Sequence, residues 1–357
     1  MEDDPLIPIL ERYDIRASAP CRIDMGGTLD IRTFFYPLRA LKPCTVNLAM
    51  DLRTEVVLTP FEAGRLKVTS IGFDTAVFPA GEAPYDHPLG LVFAVADSFC
   101  AAGVHIDIRS ASPPRSALGG SSVAAVALVA ALAKGWELSG FPPTTRHEAA
   151  MTAHAVEEAV AGVACGIQDQ LAAAFGGMNA WCWTPDPGGR WYERHPLLEA
   201  NGVEVFDRHI LAAYGGVTHE SKDVNGRWVN GFLSGETRRL WKRIAELSRR
   251  FASAFSQENW SAAAEAMNQE TDIRKSMTPD VLDDMGEALV ASARDRRCGA
   301  RFTGAGGGGC LWAIGEATAI ADLRADWREL LRGRPDARML SAGLDTQGLR
   351  VDCKSRE

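Results

Sequence analysis

The chain has no C-x-x-C pair and no short cysteine-rich frame; its eight cysteines, Cys21, Cys44, Cys100, Cys165, Cys182, Cys298, Cys310 and Cys353, are scattered. That excludes a disulfide-stapled scaffold and leads us to expect reduced thiols in a cytoplasmic setting. Apolar runs of membrane length are missing too. The longest, Val123 to Ala133, falls short of the roughly 18 residues that span a bilayer, so no transmembrane segment is expected. The stretch "MEDDPLIPILERYD" is acidic, with no basic n-region and no small-residue cleavage site, so no secretion signal is expected. An excess of positive charge is likewise absent. The formal charge of -8 is spread along the chain, which argues against nucleic acid or an anionic membrane as a partner and leaves room for a small anionic ligand. Internal repeats and low-complexity segments are lacking.

What is present is a globular composition, with 46% hydrophobic and 24% charged residues over 357 positions, a length that suits two domains. In the first third, "CTVNLAMDLRTEVVLTPF" and "RLKVTSIG" read as strands, and the "EAG" between them predicts a hairpin or meander. "LGLVFAVADSFCAAG" has helical length and a C-cap candidate in Gly103. The alternating "VHIDIRSAS" then predicts a strand leading into a glycine-rich turn and a helix. "TTRHEAAMTAHAVEEAV" and "IQDQLAAAF" predict further helices, and "MNAWCW" and "RWYERH" a hairpin around "TPDPGG". We place a domain boundary near "LEANG", residues 198 to 202, giving units 1–200 and 201–357. Beyond it, "HILAAYGG" reads as a buried strand and "GLRVDC" as an edge strand. In "ETRRLWKRIAELSRRFASAF", Leu240, Ile244, Leu247, Phe251 and Phe255 recur at helical spacing, so its basic face is expected in solvent.

Four segments concentrate polar or glycine residues. In "PPRSALGGSS", Gly119 and Gly120 allow close approach of a ligand, while Ser121 and Ser122 are placed to cap the following helix. Such a helix start favours anions; the plain alternative is a capped core helix. No Gly-Lys-Ser/Thr follows, so this is not a Walker A loop. "GAGGGG" satisfies G-x-G-x-x-G through Gly304, Gly306 and Gly309, but "CLWAIG" after it reads as a strand. A loop between two strands therefore fits better than a dinucleotide fingerprint. Asp169 lies between two glutamines at a helix start, where the dipole favours a carboxylate. In "SAPCRIDMGGTLDI", Arg22 and Asp24 share one strand face and the Gly26-Gly27 turn brings Asp30 near them; the plain alternative is a surface ion pair.

In this order, "SAPCRID", "PPRSALGGSS", "CGIQDQLAAAFGG" and "RFTGAGGGGC" resemble the motifs of the GHMP kinases, the small-molecule kinases that include galactokinase, mevalonate kinase and homoserine kinase. "GGTLD" followed by "VNLAMD" is most similar to the bacterial heptose phosphate kinases, then to galactokinase and fucokinase. The resemblance implies an α+β fold of two domains: an N-terminal ribosomal protein S5-like ATP-binding domain and a C-terminal ferredoxin-like α/β domain with extra helices. It implies ATP and Mg2+ as cofactors, with Pro113, Arg115, Ser116, Ala117, Leu118, Gly119, Gly120, Ser121 and Ser122 forming the phosphate loop. Arg115 and Ala117 stand where the family commonly has glycine.

The resemblance further makes Asp169 the catalytic aspartate, orienting a sugar hydroxyl and accepting its proton, with Arg22 holding that carboxylate beside the transferred phosphoryl group. Ser121 and Glu157 become the metal-ligand candidates, Glu158 the fallback for a one-residue slip. Asp30, Gly27, Thr28, Gly306 and Gly307 become the substrate contacts. A phosphorylated acceptor needs further cations, for which Arg32, Lys42 and Arg301 are available. The expected partner is a small sugar or sugar phosphate, with no nucleic acid and no membrane, bound by a monomer or homodimer. The competing readings are a kinase of a free sugar, a nonsugar acceptor such as mevalonate or homoserine, a noncatalytic sugar sensor, and a nicotinamide oxidoreductase.

Overall fold

β-Branched and apolar residues of the first third build most of one eight-stranded sheet in the computed structural model, which describes residues 6–186, 190–198, 202–218 and 224–356. Helix α1 (Leu6–Arg12) leads into β1 (Tyr13–Met25), and α2 (Arg32–Leu38) precedes β2 (Cys44–Pro60). β3 (Arg65–Ser70) and β4 (Ala76–Pro79) form a hairpin, and α3 (Gly90–Ser98) crosses back to β5 (Val104–Ser110). The predicted β2–β3 hairpin does not form. The α3 crossover inserts β5 between these strands, antiparallel to β2 and parallel to β3, as a strand-helix-strand unit requires. Its core-facing Val104, Ile106 and Ile108 gain partners on both edges. α3 also ends earlier than Gly103. The chain turns at Cys100 (φ 48), and Gly103 instead opens β5, donating its N–H to the Arg65 carbonyl.

α4 (Gly120–Leu138) lies under this sheet, against β1 and β2 on one side and α3, α5 (Arg146–Ala161) and α6 (Gln168–Phe175) on the other. By length and composition it could cross a membrane, although the sequence shows no unbroken apolar run of that length; with 72% of its apolar window buried, it is a core helix. α5, the helix predicted from "TTRHEAAMTAHAVEEAV", begins on a complete capping box, Thr145 with Glu148, and stops at Gly162. β6 (Met178–Trp183) and β7 (Tyr192–Pro196) are the predicted hairpin; residues 187–189 of its turn lie outside the described residues. The long β2 serves two partners, β6 along its first half and β5 along its second.

The rest of the chain is helical around a four-stranded sheet. α7 (Gly202–His209) and β8 (Ile210–Tyr214) are followed by α8 (Val224–Leu233), α9 (Arg238–Ser256), α10 (Trp260–Met277) and α11 (Asp284–Asp295). Then come β9 (Gly299–Phe302), β10 (Cys310–Ile314), α12 (Ala317–Leu331) and β11 (Arg338–Met339). The strand order β11-β8-β10-β9 is the ferredoxin-like order expected. On α9 the apolar stripe packs inward with Trp241 in the place assigned to Leu240, while Arg239, Lys242, Arg243, Arg249 and Arg250 face solvent.

Residues 199–201, where the expected boundary falls, are outside the described residues. The last strand, β12 (Arg350–Ser355), does not stay with the second sheet; it pairs antiparallel with Tyr13–Ser18 at the edge of the first.

Buried charge joins the two sheets. The Arg301 Nη1 donates to the backbone carbonyl of Asp24 and to its Oδ2 (2.9 Å), and Arg301 Nε donates to Glu270 Oε2 (3.2 Å). Arg274 Nε donates to Glu270 Oε1 (2.8 Å), while its Nη2 reaches the Gly27 carbonyl (2.7 Å) and its guanidinium lies over Trp228 and Trp241. All four charged side chains are 0% exposed. Removing one member of such a set strands the others in the interior. Glu270→Gln is therefore expected to cost about 3–5 kcal/mol, read as a lower denaturant midpoint at unchanged slope.

Candidate functional site

Arg22 gathers three of the four sequence motifs around one guanidinium. Its Nε and Nη2 donate to Asp169 Oδ1 (2.7 Å) and Oδ2 (2.8 Å), a bidentate pair, and Nη1 donates to the Ala117 carbonyl (2.8 Å). The surface ion pair considered for Arg22 and Asp24 does not describe them, since they are 3% and 0% exposed. Burial works against the Arg22 charge, but Asp169 and then Asp24 outweigh it and push its pKa up. Asp24 is likewise penalised by burial, yet Arg301 and Arg22 hold it below the usual carboxylate range. Its Oδ1 accepts the Gly304 N–H (2.8 Å), which brings in the fourth motif.

These contacts border a cavity of about 950 Å³. Pro113, Arg115, Ser116, Ala117, Gly119, Gly120, Ser121 and Ser122 line it, whereas Leu118 turns into the core. The two positions where glycine is usual both adopt left-handed backbone, Arg115 at φ 50 and Ala117 at φ 61, a conformation costing a residue with a Cβ about 1–2 kcal/mol. Gly119, at φ 78, is the N-cap of α4, and no side chain caps that helix; neither serine plays the capping part predicted for it. A Cβ at Gly119 would stand 2.8 Å from Asp169 Oδ2.

The "GAGGGG" segment is a strand-to-strand loop, as expected, with Gly304 and Ala305 in the cavity wall. Gly306 and Gly307 are outside that wall: Gly306 packs on Val281 and Phe302, and Gly307 N–H donates to the Val281 carbonyl (2.9 Å). The loop instead braces the phosphate loop from behind. Cys310 N–H donates to the Ser116 carbonyl (2.9 Å), and a Cβ on Gly309 would meet that oxygen at 2.6 Å.

Glu157 approaches from α5. Ser122 Oγ (2.7 Å) and Gln170 Nε2 (2.6 Å) both donate to its Oε2. Its recessed position pushes the carboxyl up to about 7 against those two bonds, with Asp169 adding repulsion. Ser121 is exposed on the cavity wall; the serine paired with Glu157 is Ser122. Glu158 faces elsewhere, toward Arg32 (3.9 Å) and His154 (4.0 Å). Among the described residues no three His, Cys, Asp or Glu side chains form a metal cage. Glu157 and a serine hydroxyl are nonetheless hard oxygen donors that suit Mg2+, an ion that commonly takes one or two protein ligands and completes its shell from phosphates and water.

At the other end, Asp30 Oδ2 accepts the Gln168 N–H (3.0 Å), while Asp30 Oδ1, Gln168 Oε1 and Asn225 Oδ1 are buried without hydrogen-bond partners among the described residues. Burial pushes Asp30 up to about 6, opposed by the Gln168 N–H and reinforced by Asp169. Thr28 (φ 75) lines this end with Asp30. Gly27 does not; it is wedged where a Cβ would be 2.4 Å from Asp24 Oδ2. Of the three cations considered for an acceptor phosphate, Arg301 is consumed in the buried network, and Arg32, stacked on Trp191 (3.8 Å), and Lys42 do not line the cavity.

Several contributors were not singled out from the sequence. Gly166 is the clearest, because a Cβ there would fall 1.7 Å from Asp30 Oδ2. Its signal was present in "CGIQDQ", as were Gln168 and Gln170. Asn225, following a stretch without motif, gave none.

Residues 89–177 match the family model of the GHMP kinases N terminal domain. A mevalonate kinase of Pyrococcus horikoshii is 24% identical over 334 residues, covering 84% of this chain and 88% of its own. A D-glycero-alpha-D-manno-heptose 7-phosphate kinase of Campylobacter jejuni is 22% identical over 316 residues, covering 85% and 90%. The crystal structure of a D-glycero-D-manno-heptose 1-phosphate kinase from Bacteriodes thetaiotaomicron superposes with a TM-score of 0.71 at 16% identity, covering 95% of this chain and 98% of that one. Relatives named for mevalonate and for a heptose phosphate thus stand at nearly equal identity, and likeness alone does not choose an acceptor. Residues 89–177 are a GHMP kinase N-terminal domain, and the chain around them has the GHMP kinase fold.

Proposed function

We propose that this protein transfers the terminal phosphoryl group of ATP to a hydroxyl of a sugar or sugar phosphate in the cytoplasm, a heptose phosphate being the first candidate. The observation that carries the sugar reading is the set of three unpaired acceptor atoms, Asp30 Oδ1, Gln168 Oε1 and Asn225 Oδ1, on residues that line the cavity with Asp169. Buried acceptors demand donors, and a polyhydroxylated ligand supplies several from one face. A mevalonate-like acceptor offers fewer hydroxyls for three such atoms.

In this reading the loop 113–122 and the start of α4 hold the nucleotide phosphates, with N–H groups and the helix dipole favouring their charge. Arg115 is exposed at the cavity wall and, among the described residues, enters no ion pair, so it is free to meet a phosphate. Asp169 orients the acceptor hydroxyl and takes its proton, and Arg22 fixes both carboxylate oxygens so that the base stays aimed. Glu157, with Ser122 bonded to it, would hold Mg2+, which when bound neutralises charge on the phosphates.

A coupled ADP assay across heptose phosphates, free heptose, galactose, fucose and mevalonate tests the reading. Turnover is expected with a sugar phosphate; sugar binding without any ADP release would make the protein a sensor. Asp169→Asn should lower kcat by about 10²–10⁴ while nucleotide binding, followed by fluorescence, persists.

Because Ser122 and not Ser121 bonds Glu157, Ser122→Ala is expected to raise the Mg2+ concentration for half-maximal rate about tenfold. Ser121→Ala should leave it near wild type; equal effects would remove the distinction.

Asp30 couples function to stability. Its folded value of about 6 exceeds the 3.8 of a free aspartate, so between those pH values the folded protein holds more proton than the unfolded chain. The ligand-free protein therefore loses stability as pH rises through that window, on the order of 2–3 kcal/mol in all. Asp30→Asn should raise Tm at pH 8, show little gain at pH 4, and raise the KM for the acceptor. A gain equal at both pH values would contradict this.

A further inference from the structure

Cys44 on β2 and Cys182 on β6 are direct partners across the antiparallel ladder. Two bonds fix the kind of rung they occupy. Trp183 N–H donates to the Pro43 carbonyl (2.9 Å), and farther along the register Ala49 N–H donates to the Gly177 carbonyl (2.9 Å). Bonded and non-bonded pairs alternate, so the Cys44–Cys182 rung is a non-hydrogen-bonded one, where facing Cα atoms lie about 4.5 Å apart and side chains are at their closest. That spacing falls inside the window that a disulfide tolerates without backbone movement. The two thiols stand close enough for each to move the other's titration.

The pair is also asymmetric in the way thiol exchange uses. Cys44 is 1% exposed, and the adjacent Cys182 thiol together with burial raises its pKa well above the thiol range. Cys182 is half-buried, and the adjacent Cys44 thiol, helped by His195 and Arg249, brings it down to about 7 against the effect of burial. An acidic, reachable thiol attacks first; its buried neighbour resolves. Neither residue lines the cavity of the candidate site.

We propose that Cys44 and Cys182 form a reversible oxidation site, closed to a cross-strand disulfide by a small-molecule disulfide such as oxidised glutathione, and that closure protects the fold without blocking the cavity. The Cys182 thiolate attacks one sulfur of the oxidant, breaking its S–S bond and expelling one thiolate. Cys44 then attacks Cys182 Sγ, breaking the mixed disulfide and expelling the second. The two protein thiols lose two electrons, the oxidant gains them, and both thiol protons end on the two released thiols. The crosslink closes a long loop, which restrains the unfolded chain most.

The test starts from fully reduced protein exposed to oxidised glutathione, alkylated and mapped by mass spectrometry. The expected product has lost two hydrogens, joins the peptides of Cys44 and Cys182, and leaves the other six cysteines alkylated. Its Tm should rise by about 5–10 °C and return with dithiothreitol. Cys44→Ser should trap a glutathione adduct on Cys182, and Cys182→Ser should leave Cys44 unmodified. Full alkylation of both thiols after oxidation, or a persistent adduct on wild-type Cys182, overturns the site. A last arm rests on the kinase reading: oxidised protein should keep the turnover of the reduced form, and a fall reversed by dithiothreitol overturns the protective role. If reduced protein turns over no sugar at all, it is the kinase reading that fails, while mass and Tm still decide the thiol pair.

Discussion

A row of alternating charges, Asp169, Arg22, Asp24, Arg301, Glu270 and Arg274, runs from the cavity wall into the interior between the two sheets. Each internal member lies between opposite charges, and the row sums to zero. Isolated ions at these depths would be prohibitive, whereas a neutral, hydrogen-bonded row is tolerable. The arrangement makes the cavity and the packing of the sheets one problem. The aspartate at the cavity wall is held by an arginine whose other neighbour, Asp24, is held in turn by β9 and by the glycine loop. Whatever moves the second sheet relative to the first moves Asp169.

The glycine loops serve the same end. Gly119 admits the Asp169 carboxylate, Gly166 admits Asp30, and Gly309 admits the Ser116 carbonyl. In each case the missing Cβ makes room for a protein oxygen rather than for a ligand. The ligand then meets surfaces already set, including carboxyls at Asp30 and Glu157 that sit above their ordinary range and three acceptors that lack partners.

Much of this was legible in the sequence where the signal is local. The helical pattern of α5, the β6–β7 hairpin, the strand-to-strand character of "GAGGGG" and the inward stripe of α9 follow from short-range chemistry. Three features were not. The β5 insertion depends on a helical crossover that no turn signal encodes. That Ser122 is the serine bonded to Glu157 depends on where α4 starts, since one residue on a helix turns a side chain by about 100°. Arg301 looked like an available cation because its partners, Asp24 and Glu270, lie 277 and 31 residues away. Arg22 and Asp169, 147 residues apart, were joined beforehand only by resemblance to other chains.

The return of β12 to the first sheet bears on how the molecule is made. Tyr13 pairs with Ser355, while the strands of the second sheet all lie between them in the chain. The segment just before β12 is laced in as well: Gly177 N–H, at the end of the helix bearing Asp169, donates to the Asp345 carbonyl (2.7 Å), and Arg53 binds the Asp345 carboxylate. During synthesis the outer edge of β1 thus stays open until every strand of the second sheet has been made, a long-range closure of the slow-folding kind. An uncovered strand edge invites pairing with other chains. Until β12 has been made and paired, β1 carries an edge that other chains can reach.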